Sequence, residues 1–329
     1  MDPLEKKSLG RTGLEVTRLG LGCASIGGLF GDIPEEQAIA VVHRALALGI
    51  NLYDTAPLYG AGRSEARLGR ALGSVPRDCY VLCTKVGRVL DPAPDAVAPP
   101  GQPPPLRPVF DFSRDGILRS FEESLQRLGV DRIDVLHIHD PDQHYEEAIA
   151  QAYPTLARLR REGAVRGISA GMNQWQMLAR FAREGEFDCF LLAGRYSLLE
   201  QGALEELFPL CLEKGIGILA GGTYNTGILA QGAGEEARYN YRQAPPEIVA
   251  RARRIEAVAA RWHVDVKAAA SQFVLAHPAV TAIIPGTRRP ERVEENFRAV
   301  AAPIPAGFWD ELRAEGLVHP EAPVPGEAG

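Results

Sequence analysis

The run Cys79-Tyr80-Val81-Leu82-Cys83-Thr84-Lys85-Val86 decides how this chain folds. Apolar residues occupy both alternations of it. A strand built from such a run is covered on both faces, as in a parallel sheet clad by helices. Reading outward toward the N-terminus, 64–72 reads as a short helix with Ser64 at its N-cap, and 51–56 as a strand. Before them, 34–48 places Ile39, Val42, Ala45 and Leu46 at helical spacing, with Pro34 at the entry. Toward the C-terminus, helix 114–128 carries Ile117, Phe121, Leu125 and Leu128 on one face, and strand 133–139 follows. The alternation continues as helix 145–162, strand 165–170, helix 174–184, strand 189–193 and helix 203–214, which Gly215 stops. Strand 216–220, helical patterns at 246–262 and 266–276, strand 280–284 and a helix over 290–300 complete it. With the buried strand that starts at Arg18, this makes eight strand–helix pairs. Eight such pairs without a linker predict a closed (β/α)8 TIM barrel, one domain spanning 1–329. The alternative, an open doubly wound sheet, needs an early phosphate loop. Gly20-Leu21-Gly22-Cys23-Ala24-Ser25 lacks the third glycine of G-x-G-x-x-G, so these glycines read as strand-end packing.

Four segments stand outside the rhythm. Residues 7–17 read as a short N-terminal β-hairpin around Arg11-Thr12-Gly13, a lid rather than core. Residues 87–113, after strand three, hold eight prolines and are expected to form no regular element. Their place at a strand C-terminus suggests a substrate-covering loop. Residues 221–245, after strand seven, run Gly-rich, then charged, then aromatic, and suit a flap over a cofactor. The tail 303–329 is expected to be partly frayed.

The 329 residues are 46% hydrophobic and 24% charged, enough to bury a full core, and carry a net charge of −6. No long basic run offers a footprint for nucleic acid. No apolar run approaches the roughly 20 residues of a membrane span, and Met1 to Lys7 lack an apolar signal region, so a cytoplasmic location is expected. The five cysteines, Cys23, Cys79, Cys83, Cys189 and Cys211, contain no Cys-x-x-Cys and read as small hydrophobes, with no metal site expected.

In a barrel, side chains at strand C-termini converge on one mouth. Asp54 and Tyr59 lie at and just past the end of strand two, Lys85 ends strand three, and His139 ends strand four. Any one of them alone has an ordinary structural explanation: a salt bridge, a loop cap, a core histidine. Four together on consecutive strands suggest chemistry. A free tyrosine has a pKa of about 10. A cationic lysine beside it favours the phenolate, an aspartate holds the lysine, and a histidine orients the substrate oxygen.

The chain resembles the aldo-keto reductase superfamily along nearly its whole length. The stretches that carry the resemblance are Asn51 to Gly60, Thr84-Lys85, Ser124 to Gly129, Ile133-Asp134 through His139-Asp140-Pro141-Asp142, Met172 to Trp175, Ala193 to Leu199, and Ile284-Pro285-Gly286 through Glu295-Asn296. Within the superfamily it is most similar to the D-threo-aldose 1-dehydrogenase and L-fucose dehydrogenase group, which includes pyridoxal dehydrogenase-like members. The resemblance implies a catalytic tetrad of Asp54, Tyr59, Lys85 and His139 working with NADP or NAD. It implies cofactor contacts at Ser169 and Asn173 after strand five, and at Gly286, Thr287, Arg288, Arg292, Glu295 and Asn296 after strand eight. The physics of a helix start and its arginines suits a phosphate there. Three positions depart from the family pattern: Ala193 stands for a frequent glutamine, Gly221 for an aromatic that stacks on the nicotinamide, and Gly286 for a lysine of many NADPH-specific members. Tyr196 or Tyr224 is the candidate replacement for the stacking ring, and Arg195, Tyr196, Asn225 and Tyr239 are expected to line a polar mouth. The implied reaction is oxidation of an aldose at its anomeric carbon to a lactone. Pyridoxal oxidation, general aldehyde reduction and a non-catalytic cofactor-binding subunit are the alternatives. The partner is a small molecule, and the protein is expected as a monomer or homodimer.

Overall fold

The computed structural model describes residues 1–29, 31–93 and 105–326. Eight parallel strands form its sheet: β1 (Leu21–Gly22), β2 (Leu52–Asp54), β3 (Val81–Val86), β4 (Val135–His139), β5 (Gly167–Met172), β6 (Cys189–Ala193), β7 (Gly217–Gly221) and β8 (Val280–Ile283). They neighbour one another in chain order, as βα units with right-handed crossovers do. The ends of the sheet meet through parallel bridges from Leu19 to Ile283 and from Gly22 to Gly286. Along this seam Gly20 N–H donates to Ile283 O at 2.8 Å and Ile283 N–H to Arg18 O at 3.0 Å. A Cβ on Gly22 would lie 2.5 Å from Ile284 O, and one on Gly286 would lie 2.9 Å from Gly22 O. The glycines of Gly20-Leu21-Gly22 therefore serve close packing of the closing strands.

The continuous apolar runs have a simple cause. On β3, Val81 and Cys83 face the barrel interior, where they meet Leu52, Val135, Cys189, Leu191, Leu219 and Ala282. The alternate residue Leu82 faces outward and packs with Tyr53, Leu136 and Ile168 under the helices. The helices fall near their expected bounds, α1 at Glu35–Ala47, α2 at Arg63–Leu72, α3 at Arg114–Leu128 and α4 at Tyr153–Arg161. Then follow α5 at Trp175–Glu184, α6 at Leu207–Lys214, α7 at Pro246–Arg261, α8 at Val266–Ala276 and α9 at Pro290–Ala301. Ser64 does not cap α2; the cap position is Gly62, and the Ser64 hydroxyl works elsewhere. The expected helix 145–162 is broken by a π turn over Ala148–Ala152, just before Pro154, whose missing N–H cannot join a regular ladder.

The four outlying segments differ from expectation in informative ways. The N-terminal hairpin pairs Lys6–Ser8 with Glu15–Thr17. It is a floor and not a lid: Leu9 and Val16 are fully buried in the interior cluster. Gly10 lies against Asp188 O and Gly217 N, at the strand N-termini and so opposite the mouth. The Pro-rich segment does contain regular structure. Arg88–Pro92 pairs antiparallel with Leu106–Phe110, a two-stranded ribbon whose free edges tolerate proline; the rest of that expectation, 94–104, falls outside the described residues. The segment after β7 makes a turn at Asn225–Gly227, a short helix at Ile228–Gln231 and a ribbon of Arg238–Tyr239 with Arg242–Gln243. The tail is docked and not frayed over its described length. Phe308 and Trp309 of helix α10 (Ala306–Ala314) are buried, as are Leu317, Val318, Ala322 and Val324. Burial of so many apolar side chains is what holds this stretch against the barrel. Among the described residues no helix is long and apolar enough to cross a membrane. Cys23, Cys83, Cys189 and Cys211 are buried free thiols, and Cys79 is exposed.

Candidate active site

The loop after β2 is pinned before it presents anything. Thr55 N–H donates to Cys83 O at 3.0 Å, and the Ser64 hydroxyl meets Thr55 Oγ1 at 2.8 Å and donates to Cys23 O at 2.7 Å. Gly60 turns at φ 66°, and a Cβ there would sit 2.0 Å from Gly27 O. These restraints fix Tyr59. Lys85, 1% exposed, reaches from β3: its Nζ donates to Asp54 Oδ2 at 2.6 Å and to Thr55 O at 2.8 Å, and lies 5.0 Å from the centre of the Tyr59 ring. His139 from β4 meets the Tyr59 ring edge-to-face at 5.9 Å. All four predicted residues thus converge at the C-terminal mouth.

Their electrostatics follow from depth. Asp54 stays below the usual carboxylate range: burial opposes its charge, but Lys85 and then His137 outweigh burial. Lys85 is held above the usual lysine value because Asp54, and next Tyr59, overcome the burial that would lower it. Burial pushes the Tyr59 hydroxyl up to about 12, and the opposing Lys85 charge does not cancel this. The sequence-based expectation that Lys85 lowers the tyrosine pKa is thus corrected: in the protein alone Lys85 only moderates a rise that burial imposes. His139 is held far below the usual imidazole range by burial, then by Lys85 and Arg88, so it is neutral at pH 7. Its Nδ1 is buried and has no hydrogen-bond partner within the protein.

One residue at the centre was not predicted. His137, fully buried, places Nε2 3.2 Å from Asp54 Oδ1, in a bent contact, and Nδ1 2.7 Å from Ser169 Oγ. The alternation His137-x-His139 was the available signal, since residues two apart on a strand share a face. Ser169 is fully buried inside the barrel and spends its hydroxyl on His137, so it is not the cofactor contact expected of it. Tyr196 is likewise corrected. Its ring is 2% exposed and packs between Phe208, Phe273 and His277 on the outer side of the sheet, where it cannot stack on a ligand in the mouth. Tyr224 points toward Ser271 and Asn296, at 3.0 and 3.2 Å, and supplies no stacking ring at the mouth either.

The mouth is lined by a different set than expected. Asn225 is buried and bonded to Ser197 and Gly194, and Tyr239 is turned onto Glu200. Arg195 is the partial exception, half-buried and donating to Asn240 Oδ1 at 2.7 Å. A cavity of about 400 Å³ is lined by Arg88, Phe110, Asp140, Asp142, Gln143, Asn173 and Gln174, Asp140 being the residue that follows His139. Arg88 donates to Asp140 Oδ2 at 2.8 Å and lies over the Phe110 ring at 4.3 Å. Asp140 occupies left-handed backbone at φ 44°, which turns its carboxylate back toward His139 Nε2, 3.6 Å away. Asn173, half-buried atop β5, donates to Ala193 O at 2.6 Å. Ala193 and Gly221 are register partners on β6 and β7, and a Cβ at Gly221 would meet only ordinary contacts. The departures from the family pattern therefore leave a shallow, apolar wall there.

A second cleft, about 560 Å³, gathers Gly286, Thr287, Arg288 and Arg292 against Ser25, Asp32 and Gln37 from the segment after β1. Gln37 Nε2 donates to Arg288 O at 2.7 Å, tying the two walls together. Arg292 Nε is buried without a partner in the protein. A desolvated guanidinium donor at the start of α9 fits the phosphates of a dinucleotide. Glu295 and Asn296 lie one turn further on, where Glu295 pairs with Lys267 at 3.2 Å and Asn296 receives Tyr224.

Fold and mouth together define a (β/α)8 barrel with an arginine-lined cleft and a buried Asp–Lys–Tyr–His group. Residues 18–315 match the model of the Aldo/keto reductase family, and the chain belongs to that family. It is 42% identical to a D-threo-aldose 1-dehydrogenase of Pseudomonas sp, over 93% of this chain and 96% of the relative. It is 40% identical to a pyridoxal 4-dehydrogenase of Microbacterium luteolum, over 95% of this chain and 98% of that one. Among solved structures it is similar to an aldo-keto reductase from Bacillus halodurans in its holo form, with a TM-score of 0.75, 26% identity and coverage of 98% and 99%. The protein is an NAD(P)-dependent oxidoreductase.

Proposed function

We propose that the protein oxidises an aldose at its anomeric carbon to a lactone, with Tyr59 as the acid–base. The observation that carries this reading is the mouth cavity, whose walls hold the Asp140 and Asp142 carboxylates and the Asn173 and Gln174 amides, with Asp140 Oδ2 3.6 Å from His139 Nε2. Carboxylates and amides are what recognise a run of sugar hydroxyls. The similarity to a D-threo-aldose 1-dehydrogenase supports it. Bound NAD(P) supplies the acceptor for the hydride. The protein's own part is to hold and deprotonate the substrate. Neutral His139 fixes the anomeric oxygen, Tyr59 takes its proton, and Lys85, anchored on Asp54, stabilises the phenolate. Gly286, Thr287, Arg288 and Arg292 hold the phosphates, with Glu295 and Asn296 toward the adenosine end. Asn173 holds the carboxamide.

The second reading, pyridoxal oxidation, is favoured by the aromatic side of the same cavity. Phe110 stacks with Phe112 at 5.7 Å and meets His144 in a tilted contact at 4.8 Å, and can receive a pyridine ring. A panel of fucose, other aldoses, pyridoxal and simple aldehydes, each run with NAD and with NADP, separates the readings. Turnover of pyridoxal without any aldose would overturn the first. A monomer or homodimer acting in the cytoplasm goes with the proposal.

Two further outcomes are expected here. The tyrosine lies high, at about 12, so the phenolate is the minor form at neutral pH. Oxidation should therefore speed up by about tenfold per pH unit through the alkaline range, while reduction, which uses the protonated form, stays flat. Initial rates from pH 6 to 10 check this, and an oxidation optimum below pH 7 would contradict it. Arg292→Ala should weaken NADP by about 10- to 100-fold and NAD much less, since a charge-assisted bond to the 2′-phosphate is at stake. Equal losses for the two cofactors in fluorescence titrations would remove that assignment.

A further inference from the structure

We propose that His137 and Ser169 are positioning residues, forming a polar brace inside the barrel that orients the Asp54 carboxylate and through it holds Lys85 against Tyr59. The inference rests on Tyr59 and Lys85 being the proton-transfer pair.

The brace is a single polar layer across adjacent strands. Lys85 on β3 is in register with His137 on β4, which is in register with Ser169 on β5. Asp54 closes the layer from β2. Its Oδ2 accepts from Lys85 at 2.6 Å, and its Oδ1, without a hydrogen bond of good geometry in the protein, lies 3.2 Å from His137 Nε2 in a bent polar contact. Below the layer the interior is apolar, with Leu52, Cys83 and Val135. Polar groups sunk above such a floor are stable only if paired. An aliphatic residue would fill the space of His137 at less cost if packing were its role.

The chemistry also assigns the tautomer. An ionised carboxylate only accepts, so Nε2 carries the proton toward Asp54. Nδ1 is then the acceptor, and the Ser169 hydroxyl, 2.7 Å away, donates to it in preference to Ala170 O at 3.2 Å. Burial keeps His137 below the usual imidazole range, consistent with a neutral ring that donates through one nitrogen and accepts through the other. Without it, the buried Oδ1 loses the polar ring nitrogen that faces it at 3.2 Å. The carboxylate can then turn, and Lys85 loses its fixed distance to the tyrosine.

The test reads both turnover and titration. The charged or titratable groups around this layer are Asp54, Lys85, Tyr59 and His139, Asp140 and Arg88 above, and the thiols of Cys23, Cys83 and Cys189. His137→Leu should lower kcat about 10- to 100-fold, as a displaced group in an active site does. It should also move the alkaline rise of oxidation to higher pH by about one unit, because the phenolate loses part of its lysine. Cofactor Kd should be unchanged. His137→Gln, whose amide nitrogen can still donate to Oδ1, should recover most of both effects. Ser169→Ala, which frees the tautomer, should fall between. A wild-type kcat and pH profile in His137→Leu would overturn the proposal, as would equal losses in the Leu and Gln variants. If the leucine variant does not fold, Ser169→Ala decides: an unchanged profile there overturns the brace. Tyr59→Phe run alongside separates the two layers of the argument. If it stays active, the tyrosine reading fails; if it is dead while His137→Leu is unperturbed, only the brace fails.

Discussion

Tyr59→Phe is expected to lower turnover by about 10²- to 10⁴-fold in both directions, the range of general acid–base help. The ring would keep its place, because the loop that carries it is held by Thr55, Ser64 and Gly60 and not by the phenol oxygen. Its edge-to-face contact with His139 survives the substitution. Cofactor affinity should hardly move, since the cleft of Thr287, Arg288 and Arg292 is built from a different part of the chain. Thermal stability should change little as well. A variant with wild-type turnover would end the acid–base assignment, whereas a variant that also lost cofactor binding would place Tyr59 in the cofactor wall.

Lys85→Met should cost both turnover and stability, and the two losses can be separated. Lys85 and Asp54 form a pair in which both side chains are almost wholly buried. Removing one member of such a pair leaves a charge without its counter-ion and typically costs about 3–5 kcal/mol. Replacing both members, as in Lys85→Met with Asp54→Leu, should restore much of the stability, because a well-packed apolar pair is often as stable as the ions. The restoration stays incomplete, since the buried His137 Nε2 then faces an apolar side chain in place of the carboxylate. Activity should not return in the double variant. Denaturant melts and turnover on the three proteins check this; activity recovering together with stability would make the pair structural.

How far the chain could be read in advance varies by residue. Asp54, Tyr59, Lys85 and His139 were found because each ends a strand or follows one, and a barrel gathers strand ends. Tyr196 was misplaced because the sequence shows a tyrosine just after a strand without showing which face it takes. Beyond Gly194, at φ 67°, the chain turns and sends Tyr196 outward into an aromatic cluster. Ser169 was misassigned for the same reason: on β5 it faces inward, in register with His137. Arg88 and Phe110 were hidden in a Pro-rich segment whose pairing depends on partners about 20 residues apart.

Local pattern alone determined the alternation of strands and helices, the barrel they imply and the four strand-end residues Asp54, Tyr59, Lys85 and His139. These follow from periodicity, from burial on both strand faces and from the direction of parallel strands, all written in short stretches of sequence. Tertiary structure decided what no short stretch contains. The hairpin of residues 7–17 is a floor, the tail is docked, and the mouth is lined by Arg88, Phe110 and Asp140. It also decided that burial sets the tyrosine pKa and that Asp54 is shared between Lys85 and His137. Desolvation and hydrogen-bond geometry are sums over neighbours from many strands, so they exist only once the barrel has closed.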